Sequence, residues 1–303
     1  MVLVQVAIVA LALALALVLV WVAHRRTQRK RLKTTPIVRI PTIGSISAPR
    51  KPHVVLVHGF AGFAEIRAFG VRREYFRGVR DRLEQNGIAC TTARLPAVAP
   101  IADRAAALQA LLASLAEFDV HVIAHSMGGL DARRALCALG CGPVRSLVTI
   151  ATPHRGTPLA ELGHALPARL SRRAIRDLSR ASIDARGGEL ADVPGVRYGS
   201  VIASPARGAL GVHPLLRASY LLLRAVAGEN DGVVPVSSQA WGDVLATIDA
   251  DHWGAIGWSG SFDAPGFYER LLGELGLELP QIAQFAGTTD FTSPSTTSTR
   301  RSG

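Results

Sequence analysis

The stretch Val120–Leu130, VHVIAHSMGGL, decides the fold. It reads as a buried β-strand that ends at Ser126 and passes at once into a Gly-containing helix start. A serine at such a junction sits on a sharp, strained turn with its hydroxyl held clear of a parallel sheet. The residues two before and two after it crowd neighbouring backbone and have to be small. Here they are Ala124 and Gly128. No other serine in the chain has Gly or Ala at minus two together with Gly at plus two. The plainer alternative is an ordinary serine in an Ala/Gly-rich helix start.

Outward from that stretch, strand and helix patterns alternate. His53–Phe60 (HVVLVHGF) is a short apolar run of strand type. Helical patterning over Arg72–Gln85 precedes a strand-like Ile88–Leu95, then a helix over Asp103–Phe118. The strand Val120–His125, a helix to about Leu139 and a strand over Val144–Ala151 follow. Such alternation predicts an α/β domain, its mainly parallel sheet flanked by crossover helices. After Ala151 the alternation breaks. Helical patches lie within Thr152–Val193, a strand-like Val196–Ala203 comes next, and Pro214–Val226 is an apolar helix candidate. We read residues 159–227 as a helical insertion, a lid or cap, near the sheet edge where α/β sites lie. The domain is expected over 53–286, with a Thr/Ser-rich disordered tail at 287–303.

At 303 residues, 49% hydrophobic and 19% charged, the chain is globular in composition. Its net charge of +11 raises nucleic acid as a partner, but Arg25, Arg26, Arg29, Lys30, Arg31 and Lys33 supply more than half of it. No aromatic residue interleaves with that run and no nucleic-acid module is recognisable, so no nucleic-acid partner is expected. The run follows Val2–Ala23, an apolar stretch broken only by Gln5. As a helix it spans about 33 Å, enough for a bilayer core of about 30 Å. Residues 1–23 are therefore expected to be a transmembrane anchor and 24–52 a basic linker. The positive flank predicts that the main domain lies on the cytoplasmic side of a single-pass membrane protein. Three cysteines, Cys90, Cys137 and Cys141, make no disulfide framework and no metal-site spacing.

A serine hydroxyl is a weak nucleophile and needs a base oriented by a carboxylate. On a strand–turn–helix serine the partners follow in the order acid, then His. His154, His164, His213 and His252 lie after Ser126, and only His252 lies beyond the acidic turn Glu229-Asn230-Asp231-Gly232. Among eleven acids between Ser126 and His252, Asp231 is favoured by its place on that tight turn. Asp249 and Asp251 stand too near His252 to orient it from a separate loop. With His252 they are also too few to argue for a metal. An oxyanion hole is expected from two backbone amides. One is that of Met127 at the helix start, and the other that of Phe60 in the His58-Gly59-Phe60 loop. His58 is assigned a supporting hydrogen bond in that loop, and His125 a packing role on the face away from Ser126.

These residues together resemble the bacterial triacylglycerol lipases of the α/β-hydrolase superfamily. The resemblance rests on HVVLVHGFAG (53–62), AHSMGG (124–129), TIATPHRGTP (149–158), NDGVVPVSS (230–238) and DHWG (251–254), in the family's order. It implies Ser126 as nucleophile, Asp231 as acid, His252 as base, and Phe60 and Met127 as oxyanion donors. Ala124 departs from the common first Gly, as in a subset of small bacterial lipases. Several secreted relatives hold calcium beside the catalytic His; the loop here, DHWGAIGWSG, lacks the groups that would do so. No cofactor or metal is expected. The implied function is carboxylic ester hydrolysis, with an ester or lipid substrate and a membrane partner through the N-terminal helix. An acyltransferase or thioesterase with the same triad is the alternative within enzymes; a non-catalytic membrane-anchored binding module is the alternative outside them.

Overall fold

The computed structural model describes residues 50–275, except 69, 70, 166–168 and 261. The strands are β1 (Pro52–Val57), β2 (Glu65–Ala68), β3 (Val71–Glu74), β4 (Ala89–Thr92), β5 (Asp119–His125), β6 (Val144–Ile150), β7 (Arg197–Ala203) and β8 (Asp243–Ile248). In β1, Val54 and Leu56 belong to one core and Val55 and Val57 to the other, all fully buried. A strand apolar on both faces needs cover on both, which a parallel sheet wrapped by crossover helices supplies. Six strands pair in that way, all parallel, in the order β4-β1-β5-β6-β7-β8. β2 and β3 form a separate antiparallel pair.

The helices are α1 (Val79–Gln85), α2 (Ile101–Ala113), α3 (Met127–Leu139), α4 (Arg169–Arg176), α5 (Arg180–Ala185), α6 (Arg217–Ala227), α7 (Val236–Gln239) and α8 (Ala264–Glu274). One face of the sheet is covered by Val79 and Leu83 of α1 with Tyr268, Leu271 and Leu272 of α8. The other is covered by Leu108 and Leu112 of α2 with Ala132, Ala135 and Leu136 of α3. Each Val or Leu side chain among these contributes about 1.5–3 kcal/mol by leaving water. The expected parallel sheet between helices is therefore present. The carboxyl ends of β1, β5, β6, β7 and β8 all open on one edge.

Three details differ from the sequence expectations. The segment 72–85 is not one helix: β3 ends at Glu74, and Gly78, with φ 71°, precedes a helix that starts only at Val79. The range 159–227 is not one insertion, because β7 inside it is a strand of the main sheet. Two excursions flank that strand instead, one carrying α4 and α5 and one carrying α6. β8 was not anticipated. It is an edge strand with mostly half-buried and exposed positions, so it has no unbroken apolar run to announce it. The expected anchor at 1–23, the linker as far as residue 49 and the tail at 287–303 lie outside the described residues. Among the described residues no helix is long and apolar enough to cross a membrane.

Gly128 is where α3 meets the sheet. A Cβ there would stand 2.6 Å from the Val57 carbonyl oxygen and 2.8 Å from that of His58, both backbone atoms. Gly128→Ala should lower the free energy of unfolding by about 1–3 kcal/mol through overpacking. Gly273→Ala, in open space within α8, should raise it by up to about 1 kcal/mol. Urea denaturation of both variants checks the contrast.

Candidate active site

Ser126 leaves β5 with φ 57° and ψ −133°, a backbone conformation that non-glycine residues rarely hold. Three bonds keep it there. Its N–H donates to the Ile150 carbonyl at 2.9 Å, and its own carbonyl accepts from the Thr152 hydroxyl at 2.8 Å and the Gly129 amide at 3.1 Å. Thr152 comes from the TIATPHRGTP stretch after β6, so that stretch braces the turn from the neighbouring strand.

The structure brings Ser126, His252 and Asp231 into one hydrogen-bonded chain. The Ser126 hydroxyl donates to His252 Nε2 at 2.9 Å, and His252 Nδ1–H donates to Asp231 Oδ2 at 2.7 Å. Asp231 Oδ1 accepts from the Val233 and Val234 amides at 2.8 and 2.7 Å. That carboxylate is fully buried, so these donors satisfy oxygens that water does not reach. The tight turn is built by Asn230, whose side-chain oxygen accepts from Gly232 N–H, with Gly232 at φ 96°. A further bond, His252 N–H to the Asp231 carbonyl at 2.9 Å, ties the base to the acid turn through the backbone.

Asp251 does neither job considered for it. One carboxylate oxygen accepts from the amides of Trp253 and Gly254 and from the Ser259 hydroxyl; the other accepts from His213 N–H at 2.6 Å. It folds the loop that presents His252. Among the described residues no group of three His, Cys, Asp or Glu side chains forms a metal site.

Phe60 and Met127 lie beside the nucleophile on two different elements. Met127 is the first residue of α3, so its N–H has no intrahelical acceptor. Phe60 sits in the loop after β1, between Gly59, whose carbonyl accepts from Gly62 N–H, and Ala61, which donates to Ala97. A Cβ on Gly59 would lie 2.8 Å from Ser126 Cβ, so only glycine lets this loop run so close to the serine.

Behind that loop lies a buried polar layer that the sequence reading only partly foresaw. His58 Nδ1–H donates to the Gly59 carbonyl at 3.0 Å, and Nε2 accepts from Leu95 N–H at 3.3 Å. Those bonds require the neutral ring. Burial and the nearby Arg104 guanidinium push its pKa down to about 3. Arg104, fully buried, donates to the His58 carbonyl at 2.6 Å, the Pro96 carbonyl at 2.9 Å and Asp131 Oδ2 at 2.7 Å. Burial raises the Asp131 carboxyl to about 6 against the pull of Arg104. Neither member of this pair was singled out from sequence as a site residue: one Arg and one Asp on helices carry no local signal. His125 is fully buried and is hydrogen-bonded as well as packed. It bonds the Tyr75 hydroxyl and the His252 carbonyl.

No family model matches the sequence. A triacylglycerol lipase of Saccharomyces cerevisiae is 31% identical over 207 residues, 61% of this chain and 63% of that protein. The chain thus spans less than two thirds of that relative's length. A metagenomic carboxyl esterase superposes with a TM-score of 0.63 at 22% identity, over 81% of this chain and 82% of that one. The mature Bacillus licheniformis lipase gives 0.60 at 20% identity, over 77% and 95%. Staphylococcus hyicus lipase gives 0.59 at 17% identity, over 82% and 100%. The resemblance to lipases read from the motifs is borne out by these similarities, and the chain has the α/β-hydrolase fold.

Burial also holds His125 and His154 well below the ordinary histidine value. For His58, His125 and His154 the folded pKa lies below the unfolded 6.5, so the unfolded chain binds protons that the folded one refuses. Their share of stability is complete above pH 6.5 and is lost as pH falls toward the folded values. Urea midpoints should therefore drop steeply on acidification below that point, and His58→Gln should show a shallower slope than wild type.

Proposed function

We propose that the protein is a serine hydrolase of the lipase or carboxylesterase type, with Ser126, His252 and Asp231 as its triad. The observation that carries this reading is the continuous chain Ser126 Oγ–His252 Nε2 and His252 Nδ1–Asp231 Oδ2 at 2.9 and 2.7 Å. Those distances suit a general base that takes the serine proton and a carboxylate that steadies the imidazolium. Support also comes from the lipases and esterases whose fold the chain shares.

In this reading Ser126 Oγ attacks the ester carbonyl as His252 Nε2 accepts its proton. The oxyanion forms against the Phe60 and Met127 amides, which strengthen their bonds as charge develops. His252 returns the proton to the departing alcohol, leaving an acyl-serine. Water, deprotonated by the same imidazole, then attacks the acyl carbonyl and releases the acid.

The second excursion bears on substrate class. Leu215, Leu221, Leu222 and Val226 are exposed on one side of α6 and the turn before it. The opposite side of α6 packs Leu216 and Tyr220 near Val233 and Trp253, beside the acid and base loops. An apolar surface bordering the site fits a lipid-like ester better than a small soluble one. Within the same proposal, the apolar run 2–23 and its basic flank would hold the domain at a membrane, on the cytoplasmic side.

Two measurements test this. Ser126→Ala should lose at least about 1,000-fold in p-nitrophenyl butyrate hydrolysis and all labelling by a fluorophosphonate. Full activity in that variant would sink the assignment. The Leu221→Ser, Leu222→Ser double variant should lose turnover of an emulsified long-chain triglyceride several-fold and keep that of the soluble butyrate. Equal losses on both would argue against a lipid substrate.

A further inference from the structure

We propose that Tyr75 and His125 form a positioning relay that sets the oxyanion loop against the base loop from behind the nucleophile strand. This rests on the serine-hydrolase reading and adds two residues to it. Gly59 N–H donates to the Tyr75 hydroxyl at 3.1 Å. Tyr75 and His125 Nδ1 are 2.9 Å apart, and His125 Nε2 is 3.0 Å from the His252 carbonyl. One end of this chain is the residue before the oxyanion donor Phe60, and the other is the base itself.

With a neutral His125 ring, the proton positions in the chain have one solution. An amide N–H only donates, so the Tyr75 oxygen accepts from Gly59. A carbonyl only accepts, so His125 carries its proton on Nε2 and gives it to His252. Nδ1 is then bare and accepts the Tyr75 hydroxyl proton. The arrangement requires a protonated tyrosine and a neutral histidine. Burial supplies both conditions, raising Tyr75 to about 12 and, together with the neighbouring His252, lowering His125 well below its ordinary value.

The relay is also held mechanically. Trp258, on the loop beyond His252, donates its indole N–H to the Tyr75 carbonyl at 2.7 Å. Phe63 and His58 pack on the Tyr75 ring at 6.0 and 5.7 Å between centroids, and the His125 and His252 rings lie 4.6 Å apart. A Cβ on Gly59 would meet the Tyr75 hydroxyl at 3.0 Å as well as Ser126, so Gly59 is wedged between the relay and the nucleophile. The relay bonds end on the Gly59 amide and the His252 carbonyl, not on the Ser126 hydroxyl or the His252 ring nitrogens. Tyr75 and His125 are positioning residues.

Groups that hold oxyanion donors in place act on the transition state more than on ground-state binding. In the full chain with p-nitrophenyl butyrate, Tyr75→Phe should lower kcat about 10- to 100-fold with KM within about twofold. Affinity for an alkyl boronic acid, which forms a tetrahedral adduct on Ser126, should fall in step. His125→Leu should lose a similar factor, and the double variant no more than the worse single. His125→Gln, able to accept at Oε1 and donate at Nε2, should recover much of the loss, whereas a packing role predicts no advantage over Leu. Thermal melting identifies variants that fail to fold; should Tyr75→Phe be one, the Gln-against-Leu contrast decides. Wild-type kcat in Tyr75→Phe, losses that multiply, or Gln no better than Leu would each overturn the relay alone. A wild-type protein that turns over no ester overturns the hydrolase reading, and the relay with it.

Discussion

The backbone of Ser126 is the constraint from which the rest of the site follows. A non-glycine residue at φ 57° and ψ −133° costs about 1–3 kcal/mol and persists only where its surroundings determine it several times over. Here they do. β6 receives its N–H, Thr152 and Gly129 donate to its carbonyl, and α3 is pressed against the end of β1 where Gly128 removes the Cβ that would collide. The same turn that lifts the hydroxyl above the sheet edge also leaves Met127 N–H at a helix start. It brings the loop after β1 within contact of the serine. In the proposed reading, nucleophile and oxyanion donors are thus products of one backbone geometry.

The layer behind the site is polar, which is unusual for the centre of a sheet protein and demands a physical reason. Arg104, Asp131, His58, Tyr75 and His125 are buried or closely packed there, and each buried polar group would cost several kcal/mol if left without a partner. Asp131 bonds the Arg104 guanidinium, and the other four bond backbone carbonyls and amides of the loops that carry the site: His58, Gly59, Leu95, Pro96 and His252. Apolar packing resists compression but permits sliding. Directional bonds to main-chain atoms fix where a loop stands. Burial keeps the two histidines neutral, so their bonding pattern does not change with pH in the neutral range.

Legibility in the sequence tracked how much of each element's signal was local. β1, β5 and β6 are buried on both faces over most of their length and read as largely apolar segments. The strand-to-helix turn at Ser126 was read with its end point at Leu139 intact. β8 failed because an edge strand needs little apolar residue, and DVLATI has a charged, exposed start. The hairpin before α1 leaves little trace because its strands are only four residues each and β3, VRRE, has no alternation; Gly78 marks the later helix start. α8 had a signal that went unused: Asp263 caps it by accepting from Gly266 N–H, with Pro265 in the first turn. The insertion was drawn too long because β7 is covered by excursions from both sides, and chain order alone does not tell a sheet strand from one within a cap.

What the sequence determined by itself was the α/β alternation, the strained serine and the order in which acid and base follow it. These depend on residue type, spacing and backbone sterics, all local quantities. Tertiary structure decided which acid faces His252, that Asp251 folds the base loop instead, and that Tyr75 and Arg104 stand behind the oxyanion loop. Those facts come from partners distant in the chain, 21 positions apart for Asp231 and His252, 50 for Tyr75 and His125 and 46 for Arg104 and His58. Side chains that meet only when strands close into a sheet leave no mark at either position, because each is an ordinary residue until the other arrives.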